Sequence, residues 1–175
     1  MEWWLRLFRN LWRDASDSRR AVPDHVAQRL ASYIGASERR HSGEIRICIE
    51  AAMPVSYLWR ARGDTPVGAV VRQRALAWFG RLRIWDTEGN NGVLIYLLLA
   101  EHAIELVADR AICRVVPPAE WDAIVARLGQ RLRGGDFEGG LTAALEEVSA
   151  LLVRHFPAER AGLSENELPD AVVRV

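Results

Sequence analysis

Eight consecutive apolar residues, Val93 to Ala100, constrain this chain more than any other stretch. A strand with both faces apolar belongs in the middle of a sheet, covered above and below. Glu101-His102 then reverses the chain. The return, Ala103 to Asp109, alternates: Ile104, Leu106 and Ala108 on one side, Glu105, Val107 and Asp109 on the other. Alternation marks a strand with one wet face or a place near an edge. The two together read as a β-hairpin. Just before them runs W-D-T-E-G-N-N-G, Trp85 to Gly92, so the most polar loop feeds the most buried strand.

A further strand is written at Gly43–Ala51. Ile45, Ile47 and Ile49 face one way; Glu44, Arg46, Cys48 and Glu50 face the other. β-Branched residues in strict alternation favour a strand. A helix starts at Pro23 or Asp24 and runs to Ser37. Another opens at Pro66, capped by Asp64 or Thr65, and runs to Arg81. Met53–Gly63 reads as an irregular crossing and Leu82–Trp85 as a short extended piece. Ile112–Val116 reads as a brief edge strand. Pro117-Pro118 opens the next helix, and Asp136 caps the last one beyond Gly134-Gly135. A strand, a crossover helix and a second strand normally form a parallel unit. The expected fold is α/β: a three- to four-stranded mixed sheet flanked by helices, with an extra N-terminal amphipathic helix. Residues 1–21 read as that helix and a polar linker, 22–157 as the α/β domain, and 158–175 as a flexible tail.

This topology predicts a polar cluster. The parallel strands start at one edge of the sheet, and the return strand finishes there. With a tight turn at Glu101-His102, Asp109 falls opposite Leu94. His41 (in an exposed charged stretch from Glu38), Glu44, Asp86, Glu88, Asn90, Asn91 and Asp109 then gather at one end. Asp86-x-Glu88-x-Asn90 places oxygen ligands at alternate positions, which suits Ca2+ or Mg2+. The candidate metal set is Asp86, Glu88, Asn90, Asn91, Asp109 and Glu44. The loop is not an EF-hand, because Leu97 stands where the closing glutamate would be and a strand follows. Asn-Asn-Gly also makes a plain turn. Asp86 with Asp109 is the candidate catalytic pair, acting as acid and base or through a metal-activated water. Against the cluster stands a general rule: open parallel sheets bind ligands at the opposite, carboxyl ends of their strands.

Composition removes several classes. The 23 basic residues balance 23 acidic ones, which argues against nucleic acid. No P-loop, G-x-G-x-x-G or G-x-S-x-G is present, so no organic cofactor is expected. His25, His41, His102 and His155 have no metal spacing; His102 reads as a solvated turn residue. Cys48 and Cys113, both in strand-like contexts, suggest a reducing compartment. Neither a bilayer span nor a secretory signal is legible, so the expected location is the cytoplasm.

The first residues, M-E-W-W-L-R-L-F-R-N-L-W-R, carry three of the seven tryptophans. On a helix, Glu2, Arg6, Arg9, Asn10 and Arg13 share a stripe, while Trp3, Trp4, Leu7, Phe8 and Leu11 fill most of the rest. A short cationic helix of this kind lies in the headgroup region of a membrane, where tryptophan is favoured. The alternative is a helix packed on the domain itself or on a second copy. Trp3, Trp4, Arg6, Phe8, Arg9 and Arg13 are the candidate contacts, toward the inner membrane face or a membrane-protein partner.

G-E-I-R-I-C-I-E at Gly43–Glu50, N-N-G-V-L-I-Y-L-L-L-A at Asn90–Ala100, I-E-L-V-A-D-R at Ile104–Arg110 and G-D-F-E-G-G-L at Gly135–Leu141 together resemble the TPM domain. The resemblance spans about Val22 to Pro157 and is nearest to short bacterial members with H-x-G-E-I-R and W-D-T-E-x-N-N-G-V-L-I-Y. It implies an α/β/α sandwich. It also implies a divalent cation and phosphatase activity, since the family includes a plant thylakoid-lumen protein with acid phosphatase activity and bacterial proteins that bind calcium. An animal member modulates an acetylcholine receptor, so the same resemblance admits a non-catalytic adaptor. Two departures stand out. Many members carry a transmembrane helix where this chain has the Trp-rich segment, and many have glycine where it has Ala111.

Overall fold

A computed structural model of the chain describes residues 2–62, 65–158 and 168–175; the side chains of Glu2 and Trp3 fall outside the described part. In chain order the elements are α1 (Glu2–Leu11), α2 (Ala15–Ala21), α3 (Asp24–Glu38), β1 (Ile45–Glu50), α4 (Val55–Arg60) and α5 (Val67–Arg81). There follow β2 (Val93–Leu98), β3 (Ala103–Ala108), α6 (Arg110–Val115), α7 (Pro118–Arg133), α8 (Phe137–His155) and β4 (Val173–Arg174).

The sheet is mixed, in the order β3-β2-β1-β4. β1 pairs in parallel with β2 and with β4, and β2 pairs antiparallel with β3. Two apolar layers enclose it. Ile45, Ile47, Ile49, Val93, Ile95 and Leu97 pack with α3, α7 and α8. Cys48, Leu94, Tyr96 and Leu98 pack with α4 and α5 on the other face. The molecule is therefore an α/β/α sandwich, with the unbroken apolar run buried in the interior of the sheet as its composition requires.

Several local readings change. The 14–20 stretch is a helix, α2, because Asp14 and Asp17 form a capping box at its start. Residues 55–60 of the expected crossing form α4. Residues 82–85 are turns, with Arg83 at φ 58°. Pro66, not Asp64 or Thr65, occupies the cap position of α5; Asp64 lies outside the described residues. Residues 110–115 form α6 and no strand: Asp109 accepts a hydrogen bond from Arg110 N–H at its start. The expected flexible tail contains β4, where Cys48 and Ile49 of β1 face Val173 and Arg174. Val173 docks because it completes the apolar layer over α5.

The hairpin register is displaced by two residues from the tight-turn expectation. Leu94 faces Val107, and Asp109 N–H donates to Gly92 O at 2.9 Å. Leu99 and Ala100 leave β3 but keep donating to Glu50 and Ala51 of the β1 side. The turn is thus four residues long, closed by His102 N–H on Leu99 O with His102 at φ 50°. At the outer edge of β3, Arg72 Nη1 caps Leu106 O at 2.6 Å and Cys113 Sγ caps Ala108 O at 3.2 Å. Side chains that occupy edge carbonyls discourage pairing with a second sheet.

Both faces of β1, the charged one included, are covered: all six positions of the strand are buried. At Glu50 the charge is fully answered. Its carboxylate accepts from Arg74 Nε at 2.9 Å, Trp78 Nε1 at 2.8 Å and Tyr96 Oη at 2.6 Å. Arg74 is held by the same pair and stacks over Tyr57 and Trp78. Burial first, and the Glu50 charge second, push the Tyr96 hydroxyl well above its ordinary range, so it stays a donor. Breaking a buried pair strands one charge and costs about 3–5 kcal/mol. Glu50→Gln is expected to destabilise the fold by that order in chemical denaturation. Adding Arg74→Met is expected to recover much of the loss.

Candidate functional site

The loop before β2 lies where β1 and β2 begin together, Ile45 beside Val93. Asn90 is left-handed at φ 49°. At Gly92 a Cβ would sit 2.4 Å from Ile84 O, so only glycine admits this approach of the two backbones. Asp86 is exposed and pairs with Arg83 at 2.7 Å. Glu88 is exposed as well. Asn90 Oδ1 accepts from Arg110 Nη2 at 2.9 Å. Asn91 is buried; its Nδ2 donates to Ser42 Oγ at 3.1 Å. Asp109 is buried and caps α6 through Arg110 N–H at 2.6 Å.

The sequence-predicted set is therefore divided. Asp86 is paired with Arg83, while Asn90 and Asp109 are tied to Arg110. Of that set, Glu44 is buried as well, and among the described residues the buried Asn91 Oδ1 and Asp109 Oδ2 have no hydrogen-bond partner. Their chemistry suits a hard cation, which takes about six to eight oxygens. Among the described residues no group of three or more His, Cys, Asp or Glu side chains is arranged to hold a metal ion.

Behind the loop lies a buried polar layer. His41 was expected to be exposed but is 1% accessible, clamped by backbone bonding of 41–42 to 156–157. Its Nδ1 meets Gly43 O at 2.9 Å and so carries the proton. Burial lowers its pKa to about 4, so the ring is neutral. Glu38 accepts from Ile45 N–H at 3.1 Å. Burial, then the charges of Glu44 and Asp170, raise its pKa to about 8. Arg46 is buried, and that burial lowers its pKa against the opposing charges of Asp170, Glu38 and Glu44.

At the opposite end of the sheet α1 is docked by its polar stripe. Arg6 Nε and Arg9 Nη2 reach Glu101 Oε2 at 3.1 and 2.8 Å. Asn10 Nδ2 donates to Glu101 Oε1 at 2.7 Å, and its Oδ1 accepts from Met53 N–H at 2.8 Å. Leu7 packs on the core. The apolar face turns outward: Trp4 is 60% exposed, Phe8 56%, Leu11 60% and Trp12 85%. Nearby α4 adds exposed Val55 and Trp59. Glu101 and Asn10 were missed in the sequence. The available signal was one carboxylate at a hairpin tip and a stripe with three arginines against a single acid, Glu2.

A family model described as the TPM domain matches residues 16–151, most of the chain. The chain belongs to the TPM domain family. The NMR structure of the BA42 protein from the psychrophilic bacterium Bizionia argentinensis superposes with a TM-score of 0.70. It is 24% identical, and the alignment covers 87% of this chain and 94% of that one. That likeness speaks for the fold. No curated protein sequence matches.

The matched TPM region begins at residue 16, so α1 precedes it. Among the described residues no helix is long and apolar enough to cross a membrane. Ala111, where many TPM domains have glycine, lies in the first turn of α6, a conformation open to any residue.

The buried layer gives this TPM domain a particular pH dependence. Glu38 stays protonated in the fold to about pH 8 but ionises near 4.5 when unfolded, so its contribution falls as pH rises between those values. His41 is neutral in the fold and charges below 6.5 when unfolded, so its contribution falls as pH drops from 6.5 toward 4. Below 6.5 the two oppose each other; above it Glu38 acts alone. Denaturation midpoints are expected to fall from pH 6.5 to 8 in the natural chain, and that slope should flatten in Glu38→Gln.

Proposed function

We propose that this TPM domain is an interaction module that seats on a membrane surface through α1. The observation that carries the reading is the inverted docking of the helix. Arg6, Arg9 and Asn10 of its polar stripe are engaged by Glu101 and Met53, while Trp4, Phe8, Leu11 and Trp12 are exposed. A helix that packed only to complete the domain would bury those rings and leave its arginines in water. Tryptophan favours the headgroup region because its ring is amphipathic, and the inner face of a cell membrane is the surface this reading assigns. The test is sedimentation of the full chain with phosphatidylcholine vesicles containing phosphatidylglycerol. Replacing Trp4, Phe8 and Trp12 by Ser is expected to weaken partitioning by at least about tenfold, given ~1.5–3 kcal/mol for burying one large apolar side chain. Equal sedimentation of both chains would sink the reading, as would a dimer that buries the same face.

A second reading keeps the cation at the other end, with phosphatase activity resting on family resemblance. Asn91 Oδ1 and Asp109 Oδ2 favour it, being buried acceptors without partners. Asp86, Asn90 and Asp109 would complete a Ca2+ or Mg2+ site only after giving up Arg83 and Arg110. When bound, such an ion would supply charge to polarise a phosphoryl oxygen or activate water. Arg110→Gln removes a competing cation and is expected to tighten calcium binding several-fold in amide NMR titration, with shifts at residues 90–92 and 109–111. Asp109→Asn should abolish those shifts. A silent titration in both Arg110→Gln and the natural chain would remove the cation and leave no ground for a phosphatase screen.

A further inference from the structure

A groove of about 980 Å3 lies outside the carboxyl end of β2, between the hairpin turn, α2 and α7. Its volume falls within the range of small-molecule sites, about 300–1,000 Å3. Its position is where open parallel sheets place their ligands. The walls are apolar: Leu99, Ile104, Val125, Leu132 and Phe137. The rim is cationic. Arg13 and Arg133 line it, and neither has an ion pair among the described residues. One carboxylate, Asp17, is also present, but Arg20 and the Asp14 N–H already hold it. Mid-helix Gly129 keeps the floor open. A Cβ there would lie 3.4 Å from Ile104 Cδ1 and 3.5 Å from Arg133 Nη1, so any larger side chain would grow into the groove.

We propose that this groove binds a long-chain fatty acid, with the acyl chain along Ile104, Val125 and Leu132 and the carboxylate at Arg13 and Arg133. A largely apolar groove lined by two guanidiniums that have no ion pair among the described residues matches an amphipathic anion. Arginine suits the head because its planar fork pairs with carboxylates. The inference is independent of α1 docking, since none of the exposed rings of α1 lines the groove.

The test is titration of the full chain with carboxyl-labelled palmitate, below its self-association range and without vesicles, following the label by NMR. The expected result is a saturable one-to-one resonance. Gly129→Leu fills the floor and should abolish it. Arg13→Gln with Arg133→Gln should weaken binding by about tenfold or more, the loss of charge-assisted hydrogen bonds. The neutral alcohol of equal chain length should compete correspondingly poorly. Near-ultraviolet circular dichroism checks that each variant is folded. The absence of a saturable resonance would overturn the proposal. So would unchanged affinity in the arginine double variant, whose partly exposed side chains leave the fold intact even where Gly129→Leu does not.

Discussion

β1 is buried at every position, and two of the three residues on its alternating face, Arg46 and Glu50, are charged. The rest of the molecule is arranged to make that tolerable. A buried charge must be paired and hydrogen-bonded, because desolvation otherwise neutralises it or unfolds the chain. Glu50 meets the requirement through α5 and β2, which fixes the helix to the sheet by three donors of different kinds. Glu44 and Arg46 meet it less completely, with Glu38 holding the free edge of β1 where β4 does not reach. The carboxyl end of α3 and the last strand are thereby tied to the same central element.

Two opposite ends follow from this arrangement. At the starting ends of the parallel strands, polar side chains and turn backbone crowd together, and arginines already occupy much of the acceptor capacity. At the finishing ends, the hairpin turn offers one nearly inaccessible carboxylate to a helix that lies before the TPM region. Glu101 lets α1 attach through Arg6, Arg9 and Asn10 while Phe8 stays exposed. The attachment is polar, and the exposed surface is apolar, the reverse of an ordinary amphipathic helix on a soluble domain.

Much of the fold is legible in the residues themselves. The unbroken apolar run of β2 can only be interior, and the Ile45–Ile47–Ile49 alternation sets one face of β1. What is not legible depends on tertiary choices. Periodicity gives α1 two faces but does not say which is inward; Glu101, 95 residues away from Arg6, decides that. Residues 110–115 suit a strand by composition, but Asp109 caps them into a helix. The site reading failed to anticipate Arg83 and Arg110, because sequence spacing lists acceptors without showing which donors will reach them. The two-residue change in hairpin register came from Leu99 and Ala100, whose bonds to the β1 side are invisible in the hairpin's own pattern.

The length of β1 has an electrostatic consequence. Its six residues separate the two ends by roughly 20 Å at about 3.3 Å per residue. The ionic atmosphere of physiological salt decays over about 8 Å. For a chain seated through α1 with its strands along the membrane normal, the Asn90–Asn91 loop would stand more than two such decay lengths above the lipid headgroups. It samples the ion concentrations of bulk solution, whatever charge the surface carries.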